Sequence, residues 1–208
     1  MKKRCLIISG GEFCEIKDYT DSDFVIACDR GYEYAQRCGI TPDLCLGDFD
    51  SYGGTVENCE VHRCRPEKDD TDTMLAIKEG LKMGFDRISL RCALGGSMDH
   101  LIANIQSLVY GAQYGAVMDI TDSNNYLQTL LPGRHMIKKV PGSYLSFFAL
   151  NGPVEGLSLS GVKYPLEGCE LTGAFPLCVS NEWTAAYASV QFKSGVLLTV
   201  ISDRKKKY

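Results

Sequence analysis

The sequence predicts an α/β N-terminal domain, a mainly parallel sheet with helices on both faces, followed by an all-β sandwich C-terminal domain. Two observations carry that expectation. Up to about residue 124, short apolar runs alternate with amphipathic segments of helical period, the pattern of parallel strands joined by helices. Beyond it, short apolar runs follow one another across Pro-Gly, Asn-Gly-Pro and Ser-Gly signals, and no long helical period survives. Pro132-Gly133 and Pro141-Gly142 are turns of the second part, so the boundary falls within residues 122–133; the domains are set at 1–124 and 125–208.

In the first part, strands are expected over 5–9, 23–28, 44–47, 59–63, 87–94 and 116–121. A helix over 73–83 places Met74, Ile77, Lys78 and Leu81 on one face and stops at Gly84. A second, over 98–114, places Leu101, Ile102, Ile105, Leu108, Val109 and Ala112 on one face and stops at Gly115. In the second part, strands are expected over 126–131, 136–140, 144–150, 154–159, 169–171, 188–192 and 196–201. Ligands of open parallel sheets bind outside the carboxyl ends of the strands, and this chain puts its Asp-rich loops there.

Bulk properties narrow the function. The chain has 208 residues, enough for one large domain or two small ones, with 45% hydrophobic and 23% charged residues, ordinary for a globular protein. A net charge of −4 argues against general nucleic-acid binding, and the basic run Arg204-Lys205-Lys206-Lys207 reads as a solvated tail. Met1-Lys2-Lys3-Arg4 before Cys5-Leu6-Ile7-Ile8 imitates a signal peptide, but the apolar run is short and ends at Ser9-Gly10-Gly11-Glu12, so it reads as a first strand. No stretch reaches the ~20 apolar residues of a membrane span. Ten cysteines without a Cys-x-x-Cys, with Cys5, Cys28, Cys45 and Cys92 inside apolar runs, read as small hydrophobes in a reducing cytoplasm. His62, His100 and His135 are scattered and make no obvious zinc site.

Chemistry concentrates in four acidic clusters. In Gly47-Asp48-Phe49-Asp50-Ser51 the two carboxylates share a face if the run continues as a strand. Like charges ~4 Å apart repel by about 1 kcal/mol in water and about 4 kcal/mol at an effective dielectric of ~20, so the pair either holds a cation or lies in a solvated turn. Asp29, before Arg30-Gly31, follows a strand; Asp69-Asp70-Thr71-Asp72 opens one helix, and Asp99, after Gly95-Gly96-Ser97-Met98, opens the next. A single carboxylate at a helix start is a cap worth about 1 kcal/mol. Four clusters at one sheet edge, with hard oxygen ligands and no adjacent Cys or His pair, point instead to Mg2+ and a nucleotide. Gly10-Gly11 and Gly95-Gly96 let backbone amides approach phosphate. There is no P-loop and no Gly-x-Gly-x-x-Gly fingerprint.

Taken in order, Asp29-Arg30-Gly31, Pro42-Asp43, Gly47-Asp48-Phe49-Asp50-Ser51, Lys68-Asp69-Asp70-Thr71-Asp72, Gly95-Gly96-x-x-Asp99-His100 with Asn104, Gly161-Val162-Lys163-Tyr164-Pro165-Leu166 and Val179-Ser180-Asn181-Glu182 resemble the motifs of thiamine pyrophosphokinases. The resemblance implies an ATP- and Mg2+-binding catalytic domain, a thiamine-binding β-sandwich, a homodimer, and transfer of pyrophosphate from ATP to the thiamine hydroxyl with release of AMP. It implies that Asp48, Asp50 and Asp72 hold Mg2+, and that Asp29 and Asp99 complete the acidic site. Asp29, Arg30, Gly31, Lys68, Gly95 and Gly96 would serve the ATP. Tyr164, Ser180 and Asn181 would face thiamine in a groove shared between subunits. The family often carries Arg where this chain has Ser97, so a phosphate contact would come from Arg30, Lys68 or elsewhere. Asp99 or a metal-site Asp accepts the hydroxyl proton; the sequence leaves both open, and it leaves Trp183 open between a substrate contact and a core aromatic. The competing functions are another Mg2+-dependent nucleotide kinase or phosphohydrolase, and a ligand-binding homologue without turnover.

Overall fold

The computed structural model describes residues 3–47, 56, 59–63 and 70–204. Two units emerge, Met1–Ser123 and Asn124–Tyr208.

The first unit runs β1 (Arg4–Ile8), β2 (Asp23–Cys28), α1 (Gly31–Arg37), β3 (Leu44–Gly47), β4 (Glu60–Arg63), α2 (Asp72–Lys82), β5 (Arg87–Arg91), α3 (Met98–Gln113) and β6 (Val117–Thr121). All six strands are parallel, in the order β4-β3-β2-β1-β5-β6. Such strands are buried on both faces, which is why Cys5-Leu6-Ile7-Ile8 is continuously apolar. The chain builds outward from β1 to β4, then returns to lay β5 on β1's other side. The order therefore reverses between β1 and β5, the switch point where open sheets leave a crevice.

The two longer helices stop before Gly84 and Gly115 as expected, but their buried faces share only Ile77, Leu108 and Ala112 with the apolar faces expected. Thr71 caps α2, its hydroxyl accepting from the Met74 amide at 3.2 Å. Its buried face is Thr73, Ala76, Ile77 and Gly80, rather than Met74, Ile77, Lys78 and Leu81. Small residues win because close approach to the sheet needs them: a Cβ on Gly80 would stand 3.1 Å from the Cys5 sulfur. On α3 the buried set is Asn104, Ser107, Leu108, Gly111 and Ala112, while Ile102 is exposed. Met118 nests on Gly111, where a Cβ would lie 1.9 Å from its sulfur. The short α1 has no matching expectation in the sequence pattern, and β5 ends at Arg91, short of the expected residue 94, because Cys92 turns to φ 54°.

Cysteines follow the expectation only in part. Cys5, Cys28 and Cys92 are buried free thiols, whereas Cys45 of β3 is bonded to Cys59 at the start of the neighbouring strand. The parallel register sets Cys45 beside Val61 and brings the two Cα atoms to 6.4 Å, inside the range a disulfide spans.

The second unit contains β7 (Asn125–Leu130), β8 (Gly133–Lys138), β9 (Ser143–Ser160), β10 (Leu166–Leu171), β11 (Cys178–Asn181), β12 (Tyr187–Phe192) and β13 (Ser194–Asp203), with antiparallel pairing throughout. The Asn151-Gly152-Pro153 turn signal marks a bend within β9 rather than a break. Before it β9 pairs with β13 and β11; beyond it, with β10 and β12 and, across a register shift, with the first residue of β13 at Glu155. Asn151 (φ 54°) and Gly152 (φ 119°) supply the bend. Phe147, Val154, Leu157, Val190 and Phe192 from both groups close one core, and Trp183 belongs to it, its indole N–H donating to the Ser143 hydroxyl at 3.1 Å. No helix among the described residues is long and apolar enough to cross a membrane.

Candidate active site

A cavity of about 250 Å³ opens in the first unit at the carboxyl ends of the strands. Each contributing segment follows an element that aims it. Ser9, Gly10 and Gly11 follow β1; Cys28 and Asp29 end β2; Thr71, Asp72 and Thr73 open α2; Gly95, Gly96 and Ser97 follow β5; His100 and Asn104 come from α3. Both glycine pairs therefore flank the β1/β5 switch point.

The glycines do distinct work. Gly95 (φ 73°) and Gly96 (φ 70°) take left-handed backbone that side chains resist, which turns the chain from β5 into α3. Gly11 is required by closeness: a Cβ there would meet the Cys92 carbonyl at 2.7 Å and the Leu94 carbonyl at 3.0 Å. The two loops are laced together, the amides of Ser9, Gly11 and Glu12 donating to the carbonyls of Arg91, Cys92 and Leu94 at 2.8–3.0 Å. Across the cavity floor the Ser9 and Thr73 hydroxyls share a 2.9 Å hydrogen bond.

Asp29 (φ 47°) sits in left-handed backbone, which Asp tolerates better than most residues. Its amide donates to the Leu46 carbonyl at 3.0 Å, and Gly47 packs so closely that a Cβ would stand 3.2 Å from that nitrogen. Asp72 forms the first residue of α2, where the helix dipole favours an anion. Asp99 is exposed in the first turn of α3, between the lining residues Ser97 and His100. Hydrogen bonds from the Ser97 hydroxyl and the His100 amide hold its carboxyl below the usual range, so it is ionised at neutral pH.

Of the residues picked out by sequence, Asp29, Asp72, Gly95 and Gly96 line one cavity. Asp48, Asp50 and Lys68 lie outside the described residues. Arg30 is exposed at the rim, its Cβ 3.5 Å from where a Cβ on Gly10 would stand. Gly31 is buried at the start of α1, where a Cβ would lie 2.0 Å from the Ile8 carbonyl, so it lets the helix seat on β1. Thr71 and His100 stand inside quoted motifs but were given no role of their own, while Ser9 and Thr73 line the cavity and were legible only as residues adjoining motifs.

In the second unit Tyr164 is 59% exposed, and its ring lies 5.5 Å from the Lys163 ammonium. Ser180 takes φ 57° and donates its amide to the Ser146 hydroxyl at 2.9 Å. Asn181, expected to face thiamine, is buried and bonded to the Tyr164 backbone. It is 2% exposed, its Oδ1 accepts from the Tyr164 amide at 3.0 Å, and its Nδ2 donates to the Tyr164 carbonyl at 2.9 Å. Asn181 holds Tyr164. Beside it Glu182 bridges Lys163 (2.8 Å) and Arg204 (2.9 Å), which together hold its carboxyl below the usual range.

Among the described residues the cavity offers hard oxygen donors: the carboxylates of Asp29 and Asp72, four hydroxyls (Ser9, Thr71, Thr73, Ser97) and the Asn104 amide. The Cys28 thiol donates to the Asp72 carbonyl at 3.6 Å rather than presenting a soft ligand. Among the described residues no three His, Cys, Asp or Glu side chains come together as a metal site, so a hard cation such as Mg2+ held by Asp29 or Asp72 would need ligands from phosphate or water as well.

The family model described as "Thiamin pyrophosphokinase, catalytic domain" matches residues 17–118, and "Thiamin pyrophosphokinase, vitamin B1 binding domain" matches residues 134–197. The chain is 33% identical to the thiamine pyrophosphokinase of Bacillus subtilis (strain 168), over 94% of this chain and 97% of that protein. It is similar to the crystal structure of thiamine pyrophosphokinase from Bacillus subtilis, with TM-score 0.89 and 30% identity, covering 98% of this chain and 100% of that one. The thiamin pyrophosphokinase structure from Geobacillus thermodenitrificans superposes with TM-score 0.86 at 26% identity, covering 98% and 99%.

Proposed function

The chain belongs to the thiamine pyrophosphokinase family, transferases that move the pyrophosphoryl group of ATP onto the thiamine hydroxyl and release AMP, and from that premise we propose how its residues divide the work. ATP occupies the β1/β5 crevice, its phosphates against Gly10-Gly11 and Gly95-Gly96 with Arg30 and Lys68 as basic contacts. Mg2+ is held by Asp72 together with Asp48 and Asp50, and when bound it neutralises phosphate charge in the transition state. Asp29 and Asp99 complete the acidic rim. Thiamine lies against Tyr164 and Ser180 of the β-sandwich unit, with Asn181 fixing Tyr164, in a groove completed by a second copy of the chain. The exposed Phe175, Leu177 and Val179 of the same unit support a covering partner. The setting is the cytoplasm, where ATP is supplied.

The hydroxyl oxygen attacks the β-phosphorus, the bond from that phosphorus to the α,β-bridging oxygen breaks, and AMP leaves with the electron pair. The proton goes to Asp99 or a carboxylate of the Asp48, Asp50 and Asp72 group. Asp99 is already ionised and so is ready to accept it. Most of the acceleration comes from position and electrostatics, and the loops laced by three amide–carbonyl bonds supply a rigid frame for it.

The observation that carries this reading is that Asp29, Asp72 and both glycine pairs, far apart in sequence, line one crevice at the switch point. The test is a coupled assay for AMP and thiamine diphosphate across thiamine and other small alcohols. One AMP per thiamine diphosphate is expected. Orthophosphate release without thiamine would make the protein a phosphohydrolase instead, and full activity in Asp72→Asn would remove the metal assignment.

A further inference from the structure

Gly10 and Gly11, which wall the cavity, are gripped together with the following Phe13 from a side that no motif marks. Tyr34 of α1 is buried, and its hydroxyl donates to the Gly11 carbonyl at 3.0 Å. The amide of the same residue donates to the Cys92 carbonyl at 2.8 Å, so Gly11 is held at both its N–H and its C=O. Two further contacts brace the grip. The Phe13 ring meets the Tyr34 ring edge-on at 5.3 Å, and the Arg37 guanidinium lies 3.7 Å above Phe13. Tyr34 and Arg37 are one helical turn apart and both reach over the loop. Gly31 seats the same helix against the Ile8 carbonyl, and Asp29 just before it lines the cavity. Thus α1 joins two walls of one cavity.

We propose that Tyr34 is a positioning residue for nucleotide binding: its hydroxyl fixes the plane of the Gly11–Glu12 peptide and with it the direction of the Gly10-Gly11 backbone that faces the phosphates. Glycine needs such a restraint, because it has more backbone freedom to lose than any other residue when a loop is ordered. The Cys92 bond restrains the peptide before Gly11, and the Glu12 amide's 3.0 Å bond to the Leu94 carbonyl holds one edge of the peptide after it; without the Tyr34 hydroxyl the Gly11 carbonyl edge of that peptide loses its partner, and the peptide can rock about the bond that remains. A loop that must be ordered again by each nucleotide binds it more weakly. Tyr34 touches no reacting atom, so it acts on binding and leaves the chemical step alone. The proposal rests on the reading of this cavity as the nucleotide site.

The test is Tyr34→Phe, which keeps the ring, the Phe13 contact and the burial while removing one hydroxyl. The Gly11 amide is expected to exchange with solvent about fivefold faster in the nucleotide-free protein. The dissociation constant for a non-hydrolysable ATP analogue with Mg2+ is expected to rise about fivefold, equivalent to about 1 kcal/mol. KM for ATP should rise to match, with kcat and KM for thiamine within twofold of the parent. Ser89→Ala serves as the comparison. It removes a buried hydroxyl whose 2.6 Å bond to Asp119 lies in mid-sheet, so it should lower thermal stability while leaving ATP KM unchanged. Unchanged Gly11 exchange in Tyr34→Phe overturns the clamp. Faster exchange with unchanged analogue affinity overturns its role in binding. Gly96→Ala separates these failures from a failure of the site itself, since full analogue affinity in that variant would place the nucleotide elsewhere.

Discussion

Replacing Arg91 with methionine removes a guanidinium that ties the returning loop to the sheet. Arg91 is 4% exposed and makes four hydrogen bonds: to the two Asp18 oxygens at 3.2 and 2.6 Å, to Asp119 at 2.8 Å and to the Leu90 carbonyl at 2.8 Å. Truncating one member of a buried ion pair costs about 3–5 kcal/mol, because its partner is left charged and unmatched. Two facts put this case at the lower end. Asp18 keeps Arg4 at 2.7 Å and is half exposed, while Asp119 keeps the Ser89 hydroxyl at 2.6 Å. The expected loss is therefore about 3 kcal/mol, a fall in Tm of about 6–12 °C for a chain of this size. Thermal unfolding by circular dichroism measures it. The double variant Arg91→Met with Asp119→Asn, which removes the stranded charge, should recover about 1 kcal/mol. A fall below about 2 °C, or strictly additive effects in the double variant, would refute the claim that this network is buried and coupled.

Acid should act through the same carboxylates. Burial alone would raise Asp18 and Asp23, but hydrogen bonds from Arg91 and Arg4 to Asp18, and from Arg4 and the Thr20 amide to Asp23, outweigh it and hold both below their ordinary values. Their contribution is therefore present above an unfolded carboxylate pKa of about 3.9 and is lost as pH falls through the lower folded values; urea titrations should show stability dropping below about pH 4, less steeply in Arg91→Met. Gly31→Ala puts a Cβ 2.0 Å from a backbone carbonyl that no side-chain motion can relieve, so it should cost about 3 kcal/mol or more or yield insoluble protein. Reducing the Cys45–Cys59 bond opens a loop with sequence separation 14, and a thermal melt with and without dithiothreitol should show a loss approaching about 3 kcal/mol.

The parallel sheet was legible because strands buried on both faces write themselves as unbroken apolar runs, and the glycine pairs because only glycine serves where Gly11 meets two carbonyls and Gly95 turns left-handed. Helix faces were less legible. Periodicity weights hydrophobicity, yet α3 docks by fit, burying Asn104 and Ser107 and leaving Ile102 in solvent. The Asn104 amide donates to the Ala93 carbonyl at 2.8 Å, a long-range demand with no local signature. Tyr34 was invisible for a related reason: its partner is a main-chain carbonyl distant in sequence, and a tyrosine on a short helix resembles any core aromatic. The packing reason for Gly31 was hidden in the same way, since a glycine beside an acidic motif carries no local sign of the Ile8 carbonyl behind it. Cys45 read as a hydrophobe because its partner, Cys59, lies just before the neighbouring strand, 14 residues on in sequence.

Asn181 shows how a motif residue can act through a neighbour, and the two roles give opposite results in one variant. In Asn181→Asp the oxygen that accepts from the amides of Tyr164 and Glu182, each at 3.0 Å, is kept. The nitrogen that donates to the Tyr164 carbonyl becomes a second oxygen facing it. At 2% exposure that contact is repulsive unless the new carboxyl is protonated, so its folded pKa is raised above the unfolded value of about 3.9. The variant should be least disturbed below that value, and should lose about 2–3 kcal/mol as pH rises through the folded pKa. If Asn181 only holds Tyr164, the KM for thiamine rises with pH in the same window as stability falls. A residue touching the cationic substrate directly would instead gain an attractive charge, and thiamine KM would fall or hold steady as the carboxylate forms. Measuring thiamine KM and Tm together from about pH 5 to 8 decides between them, and a KM that improves while Tm drops would return Asn181 to the substrate.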